Sequence, residues 1–332
     1  MSSHHHVYNL KLFCPERRLD KPNHLQLLAR EHLRALLPPA FSIPVPFDTY
    51  DQGPIGSCTA NALCAAFRLQ SPSTQPLYTP SRLFLYYAER EKNNTIGLEG
   101  AYLDDGYYVM QHSGICNEPT WPYNVAKVDT KPPATAYTEA KRYHISGWGV
   151  VDKTNLVNNI KQVLVGGRPI VFGILVYSSF ESKQVEQTGI VPLPDRKTEE
   201  LLGGHALCMV GYDDAKSAFL VLNSWGPTWG TTQPGGKGNR GYCYIPYAYI
   251  SDKTLCDECL FSNSVIFEMP PPPPPPPKPK PVPVPPKPKP KPKPQPKPRA
   301  KSRPQPRRPQ PRPRPRSRIV RRSISIPRTR RP

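Results

Sequence analysis

The sequence predicts an α+β fold with two lobes, one helical and one rich in strands, followed by a tail of different composition. Apolar residues recur at helical spacing between residues 40 and 137. Short apolar runs typical of strands dominate between residues 143 and 267. Beyond residue 269 the chain consists mostly of proline, lysine and arginine, which leaves nothing to bury. We therefore divide the chain into a leader (1–44), a folded domain (45–268) and a disordered tail (269–332).

Local signals define the individual elements. Ser81 caps a predicted helix that runs through Glu91, and Gly166 ends one that begins after Asn155. Apolar spacing predicts further helices at residues 58–69 and 103–111. Four apolar runs predict strands, at residues 170–177, 206–212, 218–222 and 241–245. Residues 231–240 form a polar, glycine-rich hairpin loop in this interpretation.

The net charge separates the tail from the rest of the chain. The 332 residues carry a formal net charge of +20 at pH 7. Residues 270–332 contain 8 lysines, 13 arginines and no acidic residue, whereas the preceding residues contain 24 basic and 25 acidic ones. The body is thus nearly neutral, and any preference for an anionic partner belongs to the tail.

The leader contains no recognisable secretory signal, because Lys11 interrupts its one apolar stretch. No apolar run is long enough for a transmembrane helix. A helix is predicted from Pro22 to Leu36, ended by Pro38-Pro39. We expect a docked structural leader, with a small self-inhibitory plug as the second interpretation. These features predict a cytoplasmic protein without a membrane partner, or a virion or nuclear protein if the source is viral.

The chain contains eight cysteines, and the absent signal favours a reducing compartment with mostly free thiols. Cys256 and Cys259 form a CxxC motif, which supplies only half of a zinc site. No second close pair accompanies this motif, so we predict neither a metal nor a cofactor.

Cys58 lies where a loop rich in glycine and proline turns into a helix. The unpaired N–H groups and the dipole at a helix N-terminus favour a thiolate, so this position predicts a nucleophile of lowered pKa. The alternative is a buried structural cysteine, which is the commoner role of a free thiol.

Two later segments favour the nucleophile. Gly203-Gly204-His205-Ala206 opens one apolar strand, and Asn223-Ser224-Trp225-Gly226 follows another, with a second Trp-Gly at residues 229–230. Together with Gln52, six residues before Cys58, these motifs resemble the papain family of cysteine peptidases. The resemblance covers residues 45–267, and its detail is similar to the prodomain-poor forms of bacteria and large DNA viruses.

The resemblance implies a papain-like two-lobe fold, with a helical lobe and a β-barrel-like lobe. It also implies catalytic roles for Cys58 as nucleophile, His205 as acid and base, Asn223 as the partner that orients it, and Gln52 as an oxyanion donor. Trp225 is expected to shield the histidine from water. The sequence departs from the family at two positions: Ile55 replaces a disulfide cysteine, and Thr59 replaces the aromatic residue that often follows the nucleophile.

The predicted function is therefore a thiol-dependent endopeptidase acting on protein or peptide substrates. Acyl transfer or ubiquitin-type cleavage would use the same chemistry. The alternative from another class is an inactive or weakly active peptidase fold with a structural or nucleic-acid-binding role. Residues 270–332 predict binding to nucleic acid or another polyanion, or to an SH3-type domain, against a simple solvated spacer. The sequence indicates no oligomeric state.

Overall fold

The computed structural model describes residues 10–11, 37–72, 78–235 and 238–268. Its first half is helical, as the apolar spacing predicted. The helices of this lobe are α1 (Cys58–Leu69), α2 (Arg82–Lys92), α3 (Leu103–His112) and α4 (Ala134–Ala140). Ser81 caps α2, since its hydroxyl accepts a hydrogen bond from the Phe84 N–H at 3.2 Å.

Most of the strands lie in the second half of the described chain. In chain order these are β1 (Ala40–Ser42), β2 (Tyr143–Ile145), β3 (Trp148–Val150), β4 (Ile170–Tyr177), β5 (Leu201–Asp213), β6 (Ala218–Leu222), β7 (Tyr242–Pro246), β8 (Cys256–Ser262) and β9 (Val265–Phe267). Helices α5 (Leu156–Val165), α6 (Lys183–Thr188) and α7 (Tyr247–Ser251) lie between them in sequence. An antiparallel sheet has the order β3-β8-β4-β5-β6-β7, with β1 also paired to β5, and β2 pairs with β9.

Strand β5 connects the two hydrophobic cores because its side chains alternate between the faces of the sheet. Ala206 and Cys208 belong to the core that includes α1 and α2, whereas Leu207 and Met209 belong to the core on the opposite face. The strand is buried from Gly204 to Tyr212. This central position brings the start of β5, which carries His205, to the junction of the two lobes.

The predicted α+β class is confirmed, and most element boundaries agree within one residue. Strand β5 is the main difference, since it begins at Leu201 and not at Ala206. Its glycine-rich first residues carry no strand signal of their own, but they pair with β4 between Leu175 and Tyr177. Strands β1, β2, β3, β8 and β9 were not predicted individually. Most of the leader, including its predicted helix, and the whole tail lie outside the described residues.

No helix in the described part of the chain is long and apolar enough to cross a membrane.

Candidate active site

The loop of residues 51–57 leads directly into α1, and Gly53 allows its turn because φ there is +62°. Cys58 is the first residue of the helix, as the sequence predicted. Ser57 precedes it at the cap position, but its hydroxyl accepts no backbone N–H of the first turn. The N–H groups of that turn are therefore directed to other acceptors.

A polar network holds this loop against the helical lobe. The Tyr123 hydroxyl donates to the Gln52 carbonyl oxygen at 2.8 Å and lies 2.6 Å from the Ser57 hydroxyl oxygen. Asn61 donates from Nδ2 to the Ser57 carbonyl at 2.9 Å, and Arg82 donates to Asn61 Oδ1 at 3.3 Å. These bonds fix the loop that carries Gln52 relative to the start of α1.

The Cys58 thiol is fully buried, and the backbone N–H groups of Ala206, Thr59 and Cys58 itself act to lower its pKa. Ala206 directly follows His205, so the sulfur lies beside the start of β5. Burial, with a smaller contribution from the nearby Glu89 carboxyl, nevertheless raises the pKa of this thiol to about 12 against the opposing N–H groups. The lowered pKa expected from the helix N-terminus is therefore wrong for this structure, because desolvation outweighs the helix contribution.

His205 and Asn223 meet across β5 and the end of β6. The distance from His205 Nε2 to Asn223 Oδ1 is 2.8 Å, and both residues are buried. The Trp225 indole stacks on the imidazole, with ring centroids 5.1 Å apart and planes 24° apart. Trp229 meets Trp225 edge to face at 5.0 Å. The two predicted Trp-Gly motifs thus build an aromatic cover over the histidine–asparagine pair.

The Gln52 side chain is buried between both lobes. Its Oε1 accepts a hydrogen bond from the Ser224 hydroxyl at 2.7 Å, and its Nε2 donates to the Ile55 carbonyl at 3.1 Å. The Ile55 bond uses one of the two N–H groups of the amide. Sequence reasoning did not assign a role to Ser224, although the Asn-Ser-Trp-Gly motif contains it.

Sequence reasoning also missed Glu89, a fully buried acid on α2. Thr59, which follows Cys58, donates from its hydroxyl to Glu89 Oε2 at 2.7 Å. A side chain at Gly106 would collide with Glu89 Oε1, since a Cβ there would lie 2.5 Å from this oxygen. The only sequence signal was the position of an acid on the same helix face as Leu85. Thr59, which stands in place of the aromatic residue expected from the resemblance, thus has a polar partner on α2.

Two leader residues contact the walls of the site. The Leu10 N–H donates to the Gly204 carbonyl oxygen at 3.0 Å, and the Lys11 N–H donates to the Ala101 carbonyl at 3.1 Å. Gly204 belongs to β5, whereas Ala101 precedes α3 in the helical lobe. Leu10 is buried in the same hydrophobic cluster as Cys58.

The seven cysteines in the described ranges are all free and buried. Among these same residues, no group of three or more His, Cys, Asp or Glu side chains could hold a metal ion. The CxxC motif of Cys256 and Cys259 therefore gains no further ligand from the described fold.

Comparison with known proteins identifies the family. The model of the papain family cysteine proteases matches residues 47–245. An uncharacterised peptidase C1-like protein of Acanthamoeba polyphaga mimivirus is 37% identical over 226 residues, which cover 65% of this chain and 70% of that protein. A cathepsin L-like peptidase of Aedes aegypti is 28% identical over 186 residues, which cover 54% of this chain and 52% of that protein.

Solved structures agree with this result. Xylellain, a cysteine protease from Xylella fastidiosa, superposes with a TM-score of 0.61 at 35% identity, over 69% of this chain and 87% of that one. Procathepsin B S9 from Trypanosoma congolense is 18% identical with a TM-score of 0.54, over 79% and 87% of the two chains, and supports the fold alone. The papain-like fold predicted from the motifs is thus confirmed. Because the family match spans more than half of the chain, this protein belongs to the papain family of cysteine proteases.

Proposed function

We propose that the protein hydrolyses peptide bonds with Cys58 as nucleophile, His205 as general acid and base, and Asn223 as the residue that orients His205. One observation carries this proposal. The backbone N–H of Ala206, which directly follows His205, lowers the pKa of the Cys58 thiol and so lies beside its sulfur, while Nε2 of His205 lies 2.8 Å from Asn223 Oδ1. These two contacts support the order nucleophile, base and orienting group that triad chemistry uses.

The reaction begins when His205 takes the thiol proton and the Cys58 thiolate attacks the substrate carbonyl carbon. His205 then protonates the leaving amine, and it later activates the water that hydrolyses the thioester. The Asn223 amide oxygen accepts a hydrogen bond from the Nε2–H of His205, which fixes the tautomer and the orientation of the ring. The Trp225 ring excludes water from the hydrogen bond between His205 and Asn223. This bond is stronger there because the local dielectric constant is lower.

The oxyanion of the tetrahedral intermediate needs donors beside Cys58. The Gln52 amide nitrogen and the Cys58 backbone N–H supply these donors in our proposal. Support comes from the Ser224 hydroxyl, which binds the amide oxygen of Gln52 and so turns its nitrogen away from Ser224. The network around Tyr123 holds the backbone of the same loop.

The decisive experiment combines peptide hydrolysis with labelling by an epoxide-type thiol inhibitor. We expect Cys58→Ala to abolish both signals and His205→Ala to reduce hydrolysis by several orders of magnitude. Cys64→Ala is the matched control, because Cys64 is a fully buried thiol on the same helix. Full hydrolysis by the Cys58→Ala protein would contradict the mechanism. An active wild type would also exclude the alternative of a catalytically inactive peptidase fold.

The leader contacts favour the second interpretation of that segment, a self-inhibitory plug. Leu10 and Lys11 donate main-chain hydrogen bonds to opposite lobes, so the segment bridges the two walls beside Cys58. We propose that this arrangement is a closed resting state in which the leader keeps substrate and water from the thiol. The raised pKa of Cys58 agrees with such a state, because a neutral thiol is a poor nucleophile.

The basic tail is proposed to determine binding partners or location and not chemistry. Its 21 positive charges stand beside a body that is nearly neutral. Such a segment neutralises phosphates or other anionic groups through counterion release. We propose residues 45–268 as the catalytic unit and residues 269–332 as the separate binding segment, in a protein that works in a reducing compartment.

A further inference from the structure

The two cysteines of the CxxC motif lie at a bulge in the pairing of β8 with β4. Cys259 is opposite Phe172, and Cys256 is opposite Ile174. Three steps along β8 therefore correspond to two steps along β4. Residues three apart in a regular strand face opposite sides of a sheet, but one inserted residue brings both to the same side. The bulge thus directs both thiols into one core.

Burial and hydrogen bonding agree with this geometry. Cys256 is 3% exposed and Cys259 is 2% exposed, and both belong to the same hydrophobic cluster. The Cys259 side chain contributes most to the raised pKa of Cys256, which places the two thiols close together. Cys208 and Cys243 provide a comparison, because burial alone raises their pKa without a contribution from another thiol. The CxxC motif therefore forms a paired dithiol.

A surface cavity of about 290 Å³ gives access to this pair. Its lining includes Cys256, Lys153 and Lys253, and also the carboxylate of Asp257. The positive charge of Lys153 favours the Cys256 thiolate, although the neighbouring Cys259 thiol, burial and the charge of Asp257 raise the pKa of Cys256 well above its usual range. The two lysines outnumber the one carboxylate in this lining, which favours a reagent that carries negative charge.

We propose that Cys256 and Cys259 are a redox-sensitive dithiol that closes to a disulfide by exchange with an anionic low-molecular-weight disulfide entering this cavity. Cys256 loses its proton to solvent, and its thiolate attacks one sulfur of the reagent. A mixed disulfide forms and one thiolate leaves. Cys259 then loses its proton and attacks the Cys256 sulfur, which expels the second thiolate. The two protein thiols are oxidised, and the reagent is reduced to two thiols after protonation.

The test uses the full-length protein with Cys58→Ala, so that neither the active-site thiol nor the proposed peptidase mechanism affects the result. The protein is equilibrated in mixtures of reduced and oxidised glutathione that contain a metal chelator. It is then unfolded, alkylated and mapped by mass spectrometry. We expect Cys256 and Cys259 to become protected from alkylation together, in one peptide that lacks two hydrogen atoms. Cys208 and Cys243 should stay reduced at the same glutathione ratio.

Two further variants, each made in the Cys58→Ala protein, identify the order of the steps. Adding Cys259→Ser should stop the reaction at a glutathione adduct on Cys256, whereas adding Cys256→Ser should leave Cys259 reduced. The proposal is wrong if both thiols can still be alkylated after incubation in fully oxidised glutathione. It is also wrong if each carries its own adduct and no internal disulfide forms. Both of these outcomes are measured on the Cys58→Ala protein with Cys256 and Cys259 intact, so the test stands even if a serine variant fails to fold.

Discussion

The main-chain N–H of Leu10 donates a hydrogen bond to the carbonyl oxygen of Gly204 at 3.0 Å. Gly204 immediately precedes His205, so a residue of the leader is bound at the edge of the candidate active site. Leu10 itself is buried in the cluster that contains Cys58. The contact connects two observations that sequence patterns left separate, the short leader and the closed environment of the thiol.

The first prediction concerns this contact. Leu10→Asp places a charge in a buried position, so we expect the leader to leave the site and Cys58 to become accessible. Loss of burial lowers the pKa of the thiol from about 12 toward its usual 9.0. The thiolate fraction at neutral pH then rises about tenfold for each pKa unit recovered. The measurement is the rate of Cys58 alkylation by iodoacetamide as a function of pH.

Lys11→Gln is the control for this experiment, since the half-buried Lys11 keeps its main-chain bond to Ala101 after the change. It should alkylate at the wild-type rate. Equal rates for wild type and Leu10→Asp would mean that another part of the chain closes the site.

The second prediction concerns the pair of Gln52 and Ser224. Gln52→Ala should lower kcat by about 10²-fold with little change in KM, because one oxyanion donor is lost. Ser224→Ala leaves the amide in place but removes the bond that holds its oxygen. We expect a smaller loss in kcat, about tenfold. Steady-state kinetics on one peptide substrate measure both effects, and an unchanged kcat for Gln52→Ala would exclude the oxyanion role.

The third prediction uses Glu89. Burial, together with the Asp105 carboxyl, raises the pKa of Glu89 well above its ordinary 4.5, against the hydrogen bond from Thr59. A group with a raised folded pKa contributes stability that is complete below its unfolded pKa. This contribution is lost as the pH rises toward the folded pKa. The free energy of unfolding should thus fall above about pH 4.5 by up to about 1.4 kcal/mol per pH unit.

Glu89→Gln removes this titration and keeps an oxygen acceptor for Thr59. Denaturant unfolding at pH 5 and pH 8 should therefore show that the variant gains stability relative to wild type as the pH rises. Glu91→Gln is the matched control, because Glu91 lies on the same helix but is 36% exposed. A difference between Glu89→Gln and wild type that does not change with pH would contradict a protonated Glu89.

The fourth prediction concerns the tail. Deleting residues 270–332 should leave kcat/KM on a short neutral peptide within about twofold, since steering contributes little to uncharged substrates. The deletion should abolish retention on DNA or heparin. Retention of the intact protein should weaken steeply between low and physiological salt.

A tail in which glutamine replaces all 21 basic residues separates charge from proline content. It should behave like the deletion on heparin. Equal retention of the intact and deleted proteins at physiological salt would leave the tail as a spacer.

Sequence patterns determined the local features of this protein. Cys58 begins a helix because a loop rich in glycine and proline meets a run of helix formers, and Ser81 caps α2 because a short hydroxyl side chain can bond its first turn. The apolar run at residues 170–177 became a strand with the predicted bounds. The four candidate catalytic residues were predicted from short motifs that resemble those of the papain family. Each helix, strand and single motif in this set depends on residues close together in the chain.

The tertiary structure decided the properties that depend on distant contacts. Thr59 meets Glu89 only after α1 has packed on α2, and Gln52 meets Ser224 only after the lobes have packed. Leu10 meets Gly204 only after the leader has docked on β5. The expected sign of the Cys58 pKa shift was wrong for the same reason, because a helix N-terminus is visible in sequence and desolvation is not. The bulge that pairs Cys256 with Cys259 likewise depends on the register between β4 and β8, which no local propensity specifies.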